Sequence, residues 1–182
     1  LHMLRKKLGD TDFFQGLKNY LSDEDHAFDY AKTPDFIAIM EITSGQNLTE
    51  FFSDWLYNQG YPSYTISWNQ PTNDNVRIEI SQTQSDASVS YFEAPVPLRL
   101  LGTQGEVLDI VLDNTINEEA FFRSVNFTVD TILFDPEIDL ISKNNTILLG
   151  TYEPDLDQEL VIYPSPTSNT FTIKKPESLE VS

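Results

Sequence analysis

The sequence predicts an α+β protein of segregated parts, with an N-terminal partial helical bundle followed by an antiparallel β-sandwich. Before residue 60, apolar residues recur at the spacing of helices. After residue 62, apolar and polar residues alternate, as they do in half-buried strands. Short strands then follow one another between turn-rich stretches, which is typical of a sandwich. We therefore expect three regions, at residues 1–60, 61–150 and 151–182.

Four helices are predicted in the first region. The first ends at Gly9, and Asp10 can cap the second with its carboxylate. Thr33 as the cap and Pro34 at the first helical position begin the third helix, which Gly45 ends. The acidic stretch between the second and third helices is predicted to be a loop.

The fourth helix is the clearest, because its apolar residues keep helical spacing after Asn47. Asn47 can cap this helix, and Glu50, three residues on, can reach back in a capping-box arrangement. Gly60 ends this helix. Pro62 prevents it from resuming, because proline lacks an N–H donor and biases Tyr61 towards extended geometry. We predict a structural seam here, formed by Trp55, Gly60, Tyr61, Pro62 and Trp68.

The strands begin directly after this seam. Tyr64, Ile66 and Trp68 alternate with polar residues, and a second alternating run follows at residues 76–80. Further strands are predicted at residues 96–101, 106–112, 120–123, 125–134 and 171–173. Residues 135–145 are expected to form a terminating loop or helical turn, and residues 151–170 have the acidic, proline-containing composition of a linker.

Composition excludes several classes of function. The chain has 29 acidic and 11 basic residues and a net charge of −18, so nucleic acid and anionic membranes are not expected partners. It has no cysteine, which excludes disulfides and thiolate chemistry in this segment. No apolar run is long enough to span a membrane.

No residue pattern in the chain indicates catalysis or metal binding. The two histidines, His2 and His26, are far apart in sequence and lack the partners of a zinc motif. His2 is interpreted as a packing residue and His26 as part of a solvated acidic helix end. The alternating carboxylates of Asp155, Asp157 and Glu159 lack the glycine and distant glutamate of an EF-hand. We therefore predict no catalytic residue, metal ligand or cofactor in this segment.

Aromatic residues around the seam admit two interpretations. They can pack between the helices and strands, or they can form a platform for sugars, as in a stand-alone adhesion or carbohydrate-binding β-sandwich module. The helical members share one face, which favours packing. The residues concerned are Phe51, Phe52, Trp55, Tyr57, Tyr61, Tyr64 and Trp68.

Three stretches resemble the zinc aminopeptidases of the alanyl aminopeptidase (aminopeptidase N, gluzincin) family. "LHMLRKKLGDTDFFQGLKNYL" is similar to the helical segment that follows the catalytic centre of that family. "TPDFIAIMEITSGQNLTEFFSDWLYNQGYPSYTISW" is similar to its sequel, in which a helix and a Gly-x-Pro turn lead into a β-sandwich. "FDPEIDL" is similar to the stretch that closes the sandwich.

The resemblance implies a role within a larger hydrolase that removes N-terminal residues from peptides. Residues 1–60 would be the C-terminal part of the helical metallopeptidase catalytic domain, and residues 61–150 its β-sandwich domain. In that family, His-Glu-x-x-His and a further glutamate hold zinc, and a tyrosine stabilises the oxyanion. None of these motifs is present here, so the segment is expected to be inactive alone and to act as a cleft wall and brace. A relative that lost its zinc motif and keeps a scaffolding role is a second alternative.

The tail "VIYPSPTSNTFTI" resembles the start of the C-terminal sorting domain of the type IX secretion system. The family has Tyr-Pro-Asn-Pro at this point, and Ser165 replaces the asparagine. Residues 151–182 would then be a linker and a truncated sorting-domain start. The resemblance implies that the parent enzyme is secreted or lies at the cell surface.

Overall fold

The computed structural model describes residues 1–150 and the backbone of residues 162–164 and 171–173. It confirms the α+β arrangement, with helices first and antiparallel sheets after them. Leu1–Gly150 form one compact unit and Thr151–Ser182 a second. In the described residues, no helix is both long and apolar enough to cross a bilayer.

The helical part ends in an unusual turn. Its elements are α1 (His2–Ser22), α2 (Thr33–Ser44), α3 (Thr49–Phe52) and a π-turn (Ser53–Tyr57). Gly9 has φ +78° and kinks α1 where a helix end was predicted. The N-cap of α2 is Lys32 rather than Thr33, because the Asp35 carboxylate accepts the Lys32 N–H at 2.7 Å. Gly45 ends α2 in the left-handed conformation, as predicted.

The predicted fourth helix is not one regular helix. The N-cap of α3 is Leu48 rather than the predicted Asn47, although Asn47 accepts the Thr49 N–H at 2.9 Å from the position before the cap. The expected partner Glu50 does not reach back; the Glu41 carboxylate accepts the Leu48 N–H at 2.7 Å instead. After one turn the chain widens into the π-turn, which is closed by a 2.9 Å hydrogen bond from Asn58 N–H to the Ser53 carbonyl.

Seven strands of the first unit form two sheets. The strands are β1 (Pro62–Thr72), β2 (Asn75–Gln84), β3 (Ala94–Gly102), β4 (Val107–Asn114), β5 (Glu119–Ser124), β6 (Val129–Phe134) and β7 (Thr146–Leu149). Sheet one has the order β5-β2-β1-β7, and sheet two has the order β4-β3-β6. All pairs are antiparallel except β1 with β7.

Two strand predictions differ from the structure. The predicted strand at 125–134 starts only at Val129, because Val125 donates its N–H to the carbonyl of Asp74 in the turn between β1 and β2. Strand β7 was not predicted. Its residues are all exposed, so they lack the alternation that marks a half-buried strand.

The helices and both sheets share one apolar core. Fully buried residues come from the helices (Leu4, Met40, Leu48), from sheet one (Tyr64, Ile66, Ile78, Ile80) and from sheet two (Leu98, Leu100, Leu112, Ile132). The Tyr64 and Phe134 rings, one from each sheet, lie 5.2 Å apart between centroids. The boundary predicted between residues 60 and 61 falls at the entry to β1. Its interpretation as a domain boundary stays a prediction.

In the second unit, β8 (Ile162–Pro164) pairs antiparallel with β9 (Phe171–Ile173). Strand β9 has the bounds that the sequence predicts. Strand β8 was not predicted and falls within residues 151–170, where a linker was predicted. The rest of the linker and of the sorting segment lies outside the described residues, as do the carboxylates of Asp155, Asp157 and Glu159.

Candidate functional site at the helix–sheet junction

The π-turn contacts the loop that precedes β3. Trp55 donates its indole N–H to the Glu93 carbonyl at 3.0 Å, and its ring lies 4.7 Å from the Phe92 ring. On the same segment, the Asp54 carboxylate accepts the Glu93 N–H at 3.3 Å. Two consecutive side chains of the π-turn therefore hold both backbone polar groups of Glu93.

Gln82 of β2 holds the other side of this loop. Its side-chain N–H donates to the Phe92 carbonyl at 3.0 Å, and its side-chain oxygen accepts the Phe92 N–H at 2.9 Å. Phe92 is fully buried and Gln82 is 5% exposed, so these hydrogen bonds are shielded from water. A continuous chain of contacts thus runs from the π-turn through Phe92 to sheet one.

The entry to β1 is fixed by a second set of contacts. Tyr61 donates its N–H to Ser85 Oγ at 2.9 Å and accepts the Ser85 N–H at 3.0 Å. Gly60 has φ +100°, and a Cβ there would lie 2.9 Å from Ser85 Oγ. Pro62 begins β1, and its carbonyl accepts the Lys143 N–H at 3.2 Å.

The structure brings four of the five predicted seam residues to this junction. Trp55, Gly60, Tyr61 and Pro62 lie where the helical part meets sheet one. Trp68 lies further along β1, opposite Ile78, and belongs to the core of the sheet. The role of these residues as a structural seam stays a prediction.

A cluster of ionisable side chains joins α1 to the loop after β6. Asp139 is 5% exposed, and its carboxylate lies 2.7 Å from His2 Nε2 and 2.8 Å from Lys6 Nζ. His2 and Lys6 occupy successive turns on one face of α1. We call these three residues the Asp139 cluster.

The backbone around Asp139 is held by another buried carboxylate. Asp135 accepts the Asp139 N–H at 2.7 Å and the Leu140 N–H at 2.9 Å. Its own N–H donates to the Pro97 carbonyl at 2.9 Å, which ties the loop to β3. Asp135 has φ +45°, a conformation that aspartate tolerates better than most residues.

The pKa values of the Asp139 and Asp54 carboxylates are shifted in opposite directions. Burial raises the pKa of Asp139, but hydrogen bonds from Lys6 and His2 lower it by more, so this pKa lies below its ordinary value. Burial raises the pKa of Asp54, the Glu93 N–H lowers it, and the nearby Glu50 and Glu93 carboxylates raise it, so this pKa lies above its ordinary value. Charge therefore stabilises the contact at α1 but opposes burial at the π-turn.

The side-chain contacts of this junction join the helical part to the loops next to the two sheets. In residues 1–150, no group of three or more histidine, aspartate or glutamate side chains is placed to hold a metal ion. His2 lies against Asp139 and is largely exposed, so its interpretation as a packing residue is replaced by one as a hydrogen-bond partner of Asp139.

Sequence reasoning missed the residues that act across long sequence separations. The His2 and Lys6 pair on one helix face and the two aspartates of "FDPEIDL" were the available signals for the Asp139 cluster. Gln82 and Phe92 gave no signal, because nothing in their local pattern distinguishes them from other strand and loop residues.

Curated relatives match most of this chain. No protein-family profile matches it. The chain is 27% identical over 146 residues to Tricorn protease-interacting factor F2 of Thermoplasma volcanium, which covers 73% of this chain and 18% of that protein. It is 25% identical over 130 residues to probable aminopeptidase 2 of Sulfurisphaera tokodaii, covering 71% of this chain and 16% of that protein. A 62-residue stretch is 37% identical to aminopeptidase N of Lactococcus lactis, covering 34% of this chain and 7% of that protein.

The fold is found in a solved structure as well. The crystal structure of Legionella pneumophila aminopeptidase A in complex with aspartic acid superposes with a TM-score of 0.62 at 16% identity, over 85% of this chain and 17% of that one. The chain thus spans less than a fifth of the length of the relatives it matches. Over most of its length, it is homologous to one segment of a group of proteins that includes aminopeptidases.

Proposed function

We propose that this chain is a non-catalytic C-terminal part of a secreted zinc aminopeptidase, in which it forms a wall of the peptide cleft and braces the catalytic part. The observation that carries the proposal is the similarity over more than two thirds of the chain to one segment of two much longer proteins, one of them named as a probable aminopeptidase. A 62-residue stretch is also similar to aminopeptidase N. The shared fold with aminopeptidase A adds support.

The junction contacts explain how the segment would act as a brace. A brace must hold its two parts in a fixed orientation, which a flexible linker cannot do. Here Trp55 fixes the π-turn to the Glu93 segment, and Asp139 fixes α1 to the loop after β6. The common apolar core adds non-directional stabilisation to these directional contacts.

Zinc and the residues that bind it would lie elsewhere in the same polypeptide. The described residues do not fit zinc, since no suitable group of ligands is assembled among them. Bound zinc would activate water and polarise the scissile carbonyl of a peptide substrate. The part assigned to this chain is to support the walls around that chemistry.

Export is part of the proposal and rests on the tail alone. The stretch "VIYPSPTSNTFTI" resembles a sorting-domain start, and no other feature of the sequence bears on location. Fractionation of the producing cells tests this point: the complete gene product is expected outside the cell or on its surface.

An activity assay tests the enzymatic part of the proposal. The complete gene product should hydrolyse an amino-acid anilide and lose that activity when a chelator removes the metal. The 182-residue chain should show no turnover with added zinc. An inactive gene product would favour a scaffolding relative, and turnover by the chain alone would contradict the proposal.

Glycan titration separates the proposal from a carbohydrate-binding module. Four aromatic residues of the seam region, Phe51, Phe52, Tyr64 and Trp68, are buried and present no free ring face to a sugar. We therefore expect no glycan binding by the 182-residue chain. Saturable binding would favour the module instead.

A further inference from the structure

An apolar groove lies beside the Asp139 cluster. It has a volume of about 370 Å³ and runs between the start of α1, the π-turn and residues 138–141. Its lining includes four large apolar side chains that are more than half exposed: Leu1 at 77%, Leu56 at 53%, Ile138 at 83% and Ile141 at 60%. Apolar side chains grouped in this way mark an interaction surface more often than scattered ones do.

Ile138 is the most unusual residue of this groove. It has φ +58°, which is a rare conformation for a β-branched residue. The backbone is held there because Ile138 donates its N–H to the Asp135 carbonyl at 3.1 Å, while the Asp135 carboxylate holds the next two N–H groups. An exposed isoleucine at this position is unfavourable in both conformation and hydration, so a contact that covers it would recover part of that cost.

The charge of the groove limits what can bind there. Its ionisable residues are His2 and Asp139, and Asp139 is already paired with His2 and Lys6. The remaining lining is apolar, including Phe52, Trp55 and Leu140. The groove therefore suits a few apolar side chains rather than a charged peptide or a phosphate group.

We propose that the groove receives an apolar segment of the same polypeptide that lies outside these 182 residues. The inference rests on the proposed function, which requires a catalytic part beyond this chain. An intramolecular segment is favoured over a second copy or a separate partner, because the match covers only 18% of the relative factor F2. A parent protein of that length would have most of its residues available to pack against this unit. The groove joins α1, the π-turn and the loop after β6, so a segment seated in it would also fix the junction.

Hydroxyl-radical labelling, read by mass spectrometry, tests this proposal. The 182-residue chain and the complete gene product would be labelled in parallel, with Ile42 of α2 as the reference because it is also 83% exposed. Labelling of Leu56, Ile138 and Ile141 relative to Ile42 should fall several-fold in the complete gene product. Equal relative labelling in the two proteins would overturn the proposal.

Two substitutions provide a second test, in which the thermal midpoint should shift in opposite directions in the two proteins. In the 182-residue chain, Ile138→Asn should raise the thermal midpoint, because asparagine tolerates positive φ. In the complete gene product the same change should lower the midpoint, because a buried apolar contact is lost. Ile42→Asn is the matched control and should give the same sign in both proteins. A rise for Ile138→Asn in both proteins would contradict the groove proposal.

The outcomes separate this inference from the proposed function. An active aminopeptidase with an unprotected groove would overturn the groove proposal alone. A protected groove in a gene product without anilide turnover would overturn the enzymatic function and keep the groove assignment. Protection that appears in the 182-residue chain as its concentration rises would identify a second copy as the occupant and overturn the proposal.

Discussion

Replacing Trp55 with alanine is expected to destabilise the Leu1–Gly150 unit by about 3 kcal/mol. Truncating a fully buried tryptophan costs about 3–5 kcal/mol, and Trp55 is partly buried, so about half of that applies. Loss of the hydrogen bond from its indole to the Glu93 carbonyl adds about 1 kcal/mol, because the carbonyl is left without this partner.

Urea unfolding followed by far-UV circular dichroism measures this effect, provided that the slope of the transition stays unchanged. Trp55→Phe should keep most of the ring packing on Phe92 and lose only the hydrogen bond, at a cost of about 1 kcal/mol. Tyr57→Ala is the control, because Tyr57 lies in the same π-turn and is 59% exposed. A Trp55→Ala variant with the stability of the Tyr57→Ala variant would refute the reasoning.

Three further predictions concern the junction. Asp139→Asn should lower the free energy of unfolding by about 1–3 kcal/mol. The loss is no larger because the partners His2 and Lys6 are partly exposed and stay solvated. Asp10→Asn, which breaks an exposed ion pair with Arg5, should have a smaller effect in the same urea assay. Folding lowers the pKa of Asp139, so its contribution to stability is present above the unfolded pKa of about 4 and is lost as pH falls through the folded pKa. The difference in unfolding free energy between wild type and Asp139→Asn should therefore shrink in acid. A constant difference from pH 6 to pH 2 would contradict the assignment. Gly60→Ala should lower the thermal midpoint of unfolding more than Gly105→Ala does, because both glycines have positive φ but only a Cβ at Gly60 would meet Ser85. Equal midpoints for the two variants would show that crowding is unimportant there.

Local patterns in the sequence predicted the elements that depend on local physics. Gly9 and Gly45 adopt backbone conformations that other residues adopt only at an energetic cost, so their positions in the sequence indicated the break in α1 and the end of α2. The alternation at Tyr64, Ile66 and Trp68 reflects a sheet with one buried face, which has the same cause in any sequence context.

Features that depend on distant residues could not be predicted in the same way. The π-turn forms where Asp54 and Trp55 bind the Glu93 backbone, and no local pattern specifies that partner. Strand β7 is exposed along its length and pairs in parallel with β1, so its sequence shows neither alternation nor a hairpin turn. Asp139 lies in a loop, and no local pattern specifies its partners His2 and Lys6 on α1.

The claim that helices and sheets form one braced unit is tested most directly by comparing their unfolding. The chain has two tryptophans, so Trp55→Phe leaves Trp68 in β1 as the reporter of sheet one, while circular dichroism at 222 nm reports the helices. The account predicts one urea midpoint for both signals in this variant. Loss of the helical signal at a urea concentration where Trp68 emission is still native would contradict it.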